Sequence, residues 1–474
     1  MKSSIIQIII SLLLIVGIVA IIFVFVFNRG DLSSTEFWHI MLGIFILAVI
    51  ILNVRPHWSV EKRYRHFFEE FLSETDSTLQ QQLFNNPAIN ELDPEYQGFS
   101  KLMAGVFQGS ISRNNSVEII TDGARKYELL MQDLANARES INMEYFHFGD
   151  DKGSRDVRDM LIKKAEEGVK VKFINENIAN FPIGHRYYRS MKESGVEVIR
   201  FTSLRHLLLD CITKLNYRNH RKIVVIDGKI GYTGGMNIND HYFRQWRDTH
   251  LRIEGDAVAA LQGIFLNSWV ISGGKREEPY PFYFPKQDVH PEDKLIQIIS
   301  DEPGLNFHPI ESGYVWALSN TKDYFYMQTP YFVPSQPVLT ALKAAGRCGA
   351  DVRIMIPDKA DTFFMGPANK SFFEELLHSG VKIYLREGEF MHAKTFVMDD
   401  YLSCIGSANL DNRSFHLNYE DNAYIYDRDL ALANKAIFEH DLEQCKEFTL
   451  EDAADTKWYQ RFLQKTVRIF SPML

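Results

Sequence analysis

The amino-acid sequence opens with two long apolar runs, residues 5–27 and 37–54, which are joined by a short polar loop. At about 1.5 Å per helical residue the first run extends about 34 Å, and a hydrocarbon core is about 30 Å thick. This run is too long for the apolar core of a signal peptide, and no small-x-small cleavage site follows it. The pattern therefore predicts two transmembrane helices within residues 1–58.

Charges beside the two runs predict their orientation. The loop between the runs carries one arginine and two acidic residues, whereas four basic residues follow the second run: Arg55, Lys62, Arg63 and Arg65. Because basic flanks stay on the cytoplasmic side, both chain ends are expected in the cytoplasm and the loop outside. The four cysteines form no C-x-x-C pair, which fits free thiols in a reducing compartment. We therefore expect a multi-pass protein of the cytoplasmic membrane whose main body is cytoplasmic.

Beyond the apolar runs the pattern becomes that of a globular chain. Residues 59–108 carry helix-type charge pairs and then a polar stretch with Asn-Asn-Pro and Asp-Pro, so we expect a connecting arm that is helical first and irregular later. From residue 109 onward, short β-rich runs alternate with amphipathic segments. Residues 117–121 predict a strand, for example, and Asp122 can cap the helix that follows. This alternation predicts an α/β fold.

The α/β pattern occurs twice. Three short stretches of the first copy recur in the second, where residues 118–122, 168–172 and 194–198 correspond to 297–301, 349–353 and 379–383. Two copies are too few for a solenoid. Two similar lobes that meet about a pseudo-twofold axis bring equivalent edges together, as the subunits of a C₂ dimer do. The sequence therefore predicts duplicated α/β lobes with pseudo-twofold symmetry, a first lobe at 109–287 and a second lobe at 288–474.

The most strictly repeated residues form a polar motif. In each copy a histidine is followed by a lysine, an aspartate and an asparagine at fixed positions; these are His220, Lys222, Asp227 and Asn237, and then His392, Lys394, Asp399 and Asn409. Every counterpart lies 172 positions later (392 − 220 = 172), and a Gly-Gly or Gly-Ser step precedes each asparagine. A single H-x-K pattern is a weak signal. Two copies with matched spacing do not arise by chance and mark a shared site.

These residue types suit the chemistry of a phosphodiester. A histidine and a lysine two positions apart on a strand point to one face, and the glycine step lets the backbone approach a ligand. Lysine and asparagine can hold the non-bridging oxygens while one histidine attacks phosphorus and the other protonates the leaving alkoxide. This chemistry requires no metal and no cofactor, and the sequence shows no zinc-type ligand spacing.

Two carboxylates share a second matched spacing. Asp248 follows His220 by 28 positions (248 − 220), and Glu420 follows His392 by 28 (420 − 392). A carboxylate held against an imidazole N–H fixes the tautomer and raises the basicity of the other ring nitrogen. One such carboxylate alone would more often be a surface charge. The matched spacing favours a role in orienting the histidines.

The overall charge limits the partners. The net charge is −9 and the sequence pI is about 5.9. This is the wrong sign for a protein that holds a long polyanion, so we expect no nucleic-acid partner and only local anion binding.

The paired motifs resemble those of the phospholipase D superfamily, and the stretches around them resemble bacterial cardiolipin synthases. The stretches that carry this resemblance are residues 215–225, 246–255, 328–334, 409–420 and 470–474. The resemblance implies transfer of a phosphatidyl group between two phosphatidylglycerol molecules of the membrane, giving cardiolipin and glycerol. It also implies that His220 is the nucleophile, that His392 is the general acid and base, and that Asp227 and Asp399 belong to the catalytic motif.

Several alternatives stay open at this stage. Residues 175–179 depart from the acidic run that relatives carry there, which leaves the acceptor preference undecided. Water could resolve the same phosphohistidine, which would make the protein a hydrolase; a nuclease and a catalytically inactive membrane scaffold are weaker alternatives. The leucine-rich residues 201–212 could enter the headgroup layer or pack into the core. The oligomeric state cannot be predicted.

Overall fold

The computed structural model describes residues 69–84, 87–104, 109–181, 183–201 and 217–471. The predicted transmembrane helices and residues 202–212 of the leucine-rich segment lie outside the described residues. Among the residues that are described, no helix is both long enough and apolar enough to cross a membrane.

The strands of the described residues alternate with helices along the chain. They are β1 (Ile111–Ser112), β2 (Asn115–Ile120), β3 (Ser140–Tyr145), β4 (Lys170–Glu176), β5 (Glu197–Phe201), β6 (Arg218–Asn219), β7 (Lys222–Ile226), β8 (Ile230–Gly234), β9 (His250–Gly255), β10 (Leu295–Asp301), β11 (Tyr324–Gln328), β12 (Phe332–Val333), β13 (Asp351–Pro357), β14 (Lys382–Arg386), β15 (Thr395–Met398), β16 (Leu402–Gly406), β17 (Leu410–Asp411), β18 (Asn418–Tyr426) and β19 (Cys445–Phe448).

The helices are numbered in the same way. They are α1 (Ser77–Phe84), α2 (Pro94–Ala104), α3 (Gly123–Asn136), α4 (Lys152–Glu166), α5 (His185–Glu193), α6 (Asp240–Arg244), α7 (Val258–Ile271), α8 (Tyr280–Tyr283), α9 (Pro309–Asn320), α10 (Gln336–Arg347), α11 (Met365–Lys370), α12 (Phe373–Leu377), α13 (Asn412–His416), α14 (Arg428–Leu442), α15 (Leu450–Ala454) and α16 (Trp458–Ile469), with a 3₁₀ turn at Pro87–Glu91. Asp122 caps α3 as predicted, since its carboxylate accepts a hydrogen bond from Ala124 N.

Within the described residues, two sheets repeat one topology. The first has the strand order β2-β9-β8-β7-β3-β4-β5, and the second contains β10-β18-β16-β15-β11-β13-β14 in the equivalent order. In each, two parallel strand pairs lie beside antiparallel neighbours. The mixed α/β fold and its duplication are therefore confirmed.

The predicted first lobe contributes two short strands to the second sheet. Strand β1 falls within the predicted first lobe but pairs with β10 of the second sheet, Ile111 opposite Gln297. Strand β6, directly before the first histidine, pairs with β18, Asn219 opposite Tyr419. The predicted boundaries at residues 287 and 288 remain a prediction, because chain before residue 288 contributes strands to both sheets.

Helix α7 joins the lobes through a common core. It is buried on nearly every side, as expected for a helix that is apolar all round. Its residues pack in one cluster with Ile223 of β7, Ile298 of β10 and Ile405 of β16. Burial of each such side chain stabilises the fold by about 1.5–3 kcal/mol. The shared core therefore fixes the two sheets relative to each other and with them the edge between them.

The connecting arm is more ordered than its sequence predicts. Proline at the first position of α2 is compatible with a helix, because its missing N–H is not needed there. Phe99 of α2 is fully buried, and its ring lies 4.7 Å from Trp316 and 5.1 Å from Tyr424. The prediction of irregular structure was therefore wrong for residues 94–104, where packing against the second lobe stabilises a helix.

Candidate active site

The two histidines lie where the lobes meet. His220 N donates to the carbonyl oxygen of Tyr419 at 2.9 Å, and His392 N donates to that of Arg247 at 2.7 Å. The two acceptors are themselves 172 positions apart (419 − 247), as the two histidines are. These two contacts between the lobes are therefore reciprocal, which is the property of an interface with twofold symmetry.

Each histidine is paired with a carboxylate from the opposite lobe. His220 Nδ1 lies 2.9 Å from both carboxylate oxygens of Glu420, and His392 Nδ1 lies 2.8 Å from Asp248 Oδ2. All four side chains are buried. Sequence reasoning found these carboxylates by their spacing but did not predict that the pairs cross between lobes. With Nδ1 engaged, Nε2 is the ring nitrogen that each histidine can offer to a ligand.

The two lysines stay beside their own histidines. Lys222 Nζ donates to His220 O at 2.6 Å, and Lys394 Nζ lies 3.1 Å from His392 Nε2. Burial lowers the pKa of Lys222 to about 8. Burial and, to a smaller extent, the charge of Lys222 lower the pKa of Lys394 to about 7. Lys222 acts on the pKa of Lys394, and Asp248 and Glu420 act on both lysines, so the two ammonium groups lie in the same electrostatic environment.

Burial also sets the protonation of the histidines and carboxylates. It lowers the pKa of His220 to about 4 and that of His392 to about 3, and the neighbouring lysine charges act in the same direction. Burial raises the pKa of Asp248 and Glu420, but the histidine and lysine charges outweigh it, so both pKa values lie below their usual range. At neutral pH both imidazoles are therefore neutral and donate to carboxylates through Nδ1. This leaves the Nε2 lone pair of His220 available, whereas that of His392 faces Lys394 Nζ.

The two asparagines differ in their contacts. Asn237 Oδ1 accepts a hydrogen bond from His147 N at 3.1 Å. Asn409 is buried, and its Oδ1 has no hydrogen-bond partner within the part of the chain that the structure describes. A buried polar atom without a partner carries a free-energy cost unless a ligand satisfies it.

Asp227 and Asp399 do not join this cluster. Asp227 Oδ1 and Oδ2 accept hydrogen bonds from the backbone N–H groups of residues 138–140, and Asp399 accepts those of residues 322–324. Both have left-handed backbones, with φ of 52° and 48°. At about 3.3 Å per residue along β7, Asp227 lies about 17 Å beyond Lys222. We therefore replace the predicted catalytic role of both aspartates with a structural one, the clamping of a neighbouring loop.

The Gly-Gly and Gly-Ser steps make room for the orienting carboxylates. A Cβ atom at Gly235 would lie 2.1 Å from Asp248 Oδ1, so no larger residue fits there. The equivalent Ser407 instead donates its hydroxyl to Glu420 Oε2 at 2.5 Å. Sequence reasoning assigned these steps to ligand approach; the structure shows that they accommodate Asp248 in one lobe and hold Glu420 in the other.

The surroundings of the histidines break the symmetry. The ring of His392 lies 5.3 Å from Tyr242, 5.5 Å from Trp246 and 6.1 Å from Phe390. At the positions 172 residues away the chain carries Ser414, Asn418 and Arg218 instead. His220 keeps one ring contact, with Phe146 at 4.7 Å, so its flank of the pocket is less aromatic than that of His392. Sequence reasoning missed this difference because it compared only the positions that agree.

Arg221 is a further residue that sequence reasoning missed. It is fully buried between the lobes, donates to Ser268 Oγ at 3.0 Å and pairs with Glu302 at 3.1 Å. Its Nε also donates to the backbone oxygen of Glu420. Its position between the first histidine and lysine of the motif was the available signal. It connects His220 to the carboxylate-bearing strand of the other lobe.

Fold and pocket together define a class: two-lobed proteins of the phospholipase D type, with one histidine–lysine pair from each lobe. Among the described residues, no group of three or more His, Cys, Asp or Glu side chains is placed to hold a metal ion. The family model of the cardiolipin synthase PLD-like domain matches residues 130–269 and 314–442. The chain belongs to this family, the bacterial cardiolipin synthases of the phospholipase D superfamily.

Known relatives cover nearly the whole chain. The major cardiolipin synthase ClsA of Bacillus subtilis is 35% identical over 99% of this chain and 100% of its own length. Cardiolipin synthase 1 of Staphylococcus aureus is 34% identical over 94% of this chain and 93% of its own. Among solved structures, the phosphatidylserine synthase of Haemophilus influenzae aligns with a TM-score of 0.59 and 14% identity, covering 76% of this chain and 95% of that one. This last similarity supports the fold alone.

Proposed function

We propose that the protein is a membrane phosphatidyltransferase that joins two phosphatidylglycerol molecules into cardiolipin and releases glycerol. Relatives named cardiolipin synthases match almost the full chain at 31–35% identity. The observation that carries the proposal is the crossed pairing of His220 with Glu420 and of His392 with Asp248. It supplies two oriented imidazoles, one for each partner of a displacement at phosphorus.

In the first half-reaction, Nε2 of neutral His220 attacks the phosphorus of one phosphatidylglycerol. The new N–P bond replaces the bond from phosphorus to the oxygen of the headgroup glycerol. His392 donates a proton to this oxygen as the glycerol leaves. His392 must be protonated for this step. The negative phosphodiester raises the pKa of His392 from its low value in the free pocket, because it neutralises the repulsion from the lysines.

In the second half-reaction, a hydroxyl of a second phosphatidylglycerol attacks the phosphohistidine. His392 accepts the hydroxyl proton, the N–P bond breaks, and His220 returns to its neutral form. The non-bridging oxygens are held throughout by the ammonium groups of Lys222 and Lys394 and by the side-chain amide N–H groups of Asn237 and Asn409. Glu420 and Asp248 stabilise the imidazolium that forms transiently on each histidine.

The residues outside the described ranges complete the proposal. The two apolar runs within residues 1–58 would hold the enzyme in the cytoplasmic membrane, with the catalytic lobes on the cytoplasmic side. Both reactants are bilayer lipids, and anchoring raises the effective concentration of enzyme and substrate at the same surface.

One assay tests the proposed reaction. The full-length protein in vesicles is incubated with phosphatidylglycerol alone, and the lipids and released alcohol are analysed. We expect cardiolipin and glycerol in equal amounts. Phosphatidic acid with glycerol would instead identify a hydrolase, and absence of turnover would favour a scaffold.

A further inference from the structure

The C-terminal helix α16 exposes an apolar face. Trp458, Phe462 and Ile469 are 79%, 68% and 66% exposed. At about 100° per residue these three side chains lie within about 40° of each other around the helix. The helix packs on the second-lobe core through the other side, with Val467 buried and Leu463 partly buried. The exposed stripe is therefore separate from the face that holds the helix in place.

The rest of this helix is basic. Its sequence, WYQRFLQKTVRI, contains three basic residues and no acidic one. Arg461, Lys465 and Arg468 lie on one strip beside the apolar stripe, and Lys465 is exposed. Arg468 pairs with Glu375 and Arg461 lies 3.7 Å from Glu374, so part of this charge is balanced by the protein. An aromatic stripe beside a basic strip is the pattern of helices that lie in the interface of an anionic bilayer.

A chain of contacts links helix α16 to the pocket. It packs on α11, which directly follows Phe363 and Phe364; these two rings are 5.3 Å apart and their residues are 76% and 58% exposed. The same loop holds Asp361, whose carboxylate accepts a 2.5 Å hydrogen bond from Tyr331, and the Tyr331 ring lies 6.4 Å from that of His392. The apolar stripe and the phenylalanine pair are thus connected to one flank of the site.

Two further observations place these groups on the pocket side. Just after α16, the carbonyl oxygen of Ser471 accepts a 3.0 Å hydrogen bond from Asn412, which is three residues beyond Asn409. Strand β4 of the first lobe is the counterpart of β13. The loop after β4 carries Phe181, which is 76% exposed. The carboxyl ends of these strands lie at the sheet edge where the histidine-bearing strands begin. Exposed aromatic residues of both lobes therefore lie in loops at the same end of the sheets as the pocket.

We propose that the exposed stripe of α16 together with Phe363 and Phe364, here called the docking face, lies in the headgroup layer of an anionic bilayer and directs the pocket toward lipid. Aromatic side chains favour this layer, and the basic strip matches its negative potential. The charge of the strip decides between partners: an acidic lipid surface complements it, whereas a second copy of the chain would oppose one basic strip to another.

Trp458 serves as its own reporter. The full chain and its Trp458→Phe variant are reconstituted in vesicles of phosphatidylcholine and phosphatidylglycerol, and the difference between their emission spectra isolates Trp458. We expect blue-shifted emission that lipids brominated in the upper acyl chain quench, and weaker quenching when phosphatidylglycerol is omitted. Red-shifted, unquenched emission would overturn the proposal. Blue-shifted but unquenched emission would also overturn it, because it would show that protein covers this face, either a second copy or the N-terminal residues.

Activity provides a second, matched test. The double variant Phe462→Ser, Ile469→Ser is compared with Val289→Ser, a substitution of a residue that is 87% exposed outside the docking face. We expect the KM for phosphatidylglycerol in vesicles to rise about threefold or more in the double variant only, with unchanged turnover of a short-chain soluble substrate and unchanged thermal unfolding. An unchanged KM would contradict docking. Quenching needs no turnover, so this inference can fail independently of the proposed reaction.

Discussion

At the scale of single residues, the pocket depends on pairs that the two lobes complete for each other. Glu420 belongs to the lobe of His392 but orients His220, and Asp248 belongs to the lobe of His220 but orients His392. Neither lobe alone contains an oriented histidine. Burial keeps both imidazoles neutral and lowers the lysine pKa values to about 7 and 8, so a bound phosphodiester changes the protonation of the pocket.

The two histidines and their carboxylates should differ in how much activity they support. Substitution of His220 or His392 by alanine removes a reacting group, so we expect kcat to fall about 10³-fold or more. Asp248→Asn and Glu420→Gln keep a hydrogen-bond partner but lose its charge, so we expect a smaller loss of about 10- to 100-fold. The rate of cardiolipin formation in vesicles measures the loss in the histidine variants and in the carboxylate variants. Near wild-type rates in either histidine variant would refute a mechanism with two histidines.

The pH dependence follows from the lysines and histidines. The anion-binding ammonium groups are charged below their pKa values of about 7 and 8, and the nucleophile is neutral above about 4. Because the first step needs a proton on His392, which the free enzyme does not hold above its low pKa, we expect kcat/KM to fall as pH increases above about 4. It should fall more steeply above pH 7 to 8, where the lysines lose their charge. Because bound phosphodiester raises the lysine pKa values, the fall in kcat should occur at higher pH than the fall in kcat/KM. Coincident falls would contradict this coupling.

At the scale of elements, the strand–turn unit that carries each motif is fixed at its far end. Asp227 and Asp399 hold three consecutive backbone N–H groups of a neighbouring loop. This contact anchors the turns after β7 and β15, and thereby the register in which the histidine and lysine reach the pocket at the opposite strand ends.

Replacement of these aspartates separates structure from catalysis. Asp399→Ala leaves three N–H groups without their acceptor, which should lower the free energy of unfolding by about 1–3 kcal/mol. Turnover per folded molecule below the melting temperature should stay within about threefold of wild type, in contrast to the histidine variants. Thermal unfolding measures the loss of stability, and the rate of cardiolipin formation per folded molecule measures the turnover. The neighbouring exposed Asp323→Ala serves as the control and should change neither; loss of turnover in folded Asp399→Ala would restore a catalytic role.

Helix α7 is the element that couples the lobes. Phe265 of this helix is fully buried in the cluster that both sheets share. Phe265→Ala should therefore lower the free energy of unfolding by about 3–5 kcal/mol through the cavity that it leaves. Val270→Ala on the same helix, where the side chain is only partly buried, should cost less than about 1.5 kcal/mol. Chemical denaturation of the full-length protein in detergent distinguishes the two, and equal losses would contradict the role of the shared core.

At the scale of the whole molecule, sequence periodicity predicted the duplication but not how the two copies meet. The fixed offset of 172 identified His220, Lys222 and Asn237 with their counterparts, because an internal repeat is visible without a structure. The same offset placed Asp248 and Glu420 in the site but could not assign their partners, since a spacing within one lobe says nothing about contacts between lobes.

Other features had no signal in the repeat. Asp227 was assigned to catalysis because it belongs to the motif, whereas its backbone contacts depend on loops distant in sequence. Helix α2 was predicted as irregular because the sequence around it does not reveal the ring contacts with the second lobe that stabilise it. The aromatic flank of His392 arises where the two copies differ, and a search for agreement passes over such positions.

The central claim is that the two lobes form one pocket in which His220 attacks phosphorus and His392 handles the proton. The most direct measurement uses a phosphatidyl ester of p-nitrophenol, whose leaving group needs no proton, with the His392→Ala variant. After acid-free quenching and proteolysis, mass spectrometry should find a phosphatidyl adduct on His220 in an amount approaching one per protein molecule, because the second half-reaction lacks its base. An adduct that forms on His392 in the wild-type or His220→Ala protein, or no adduct in any of them, would contradict the account.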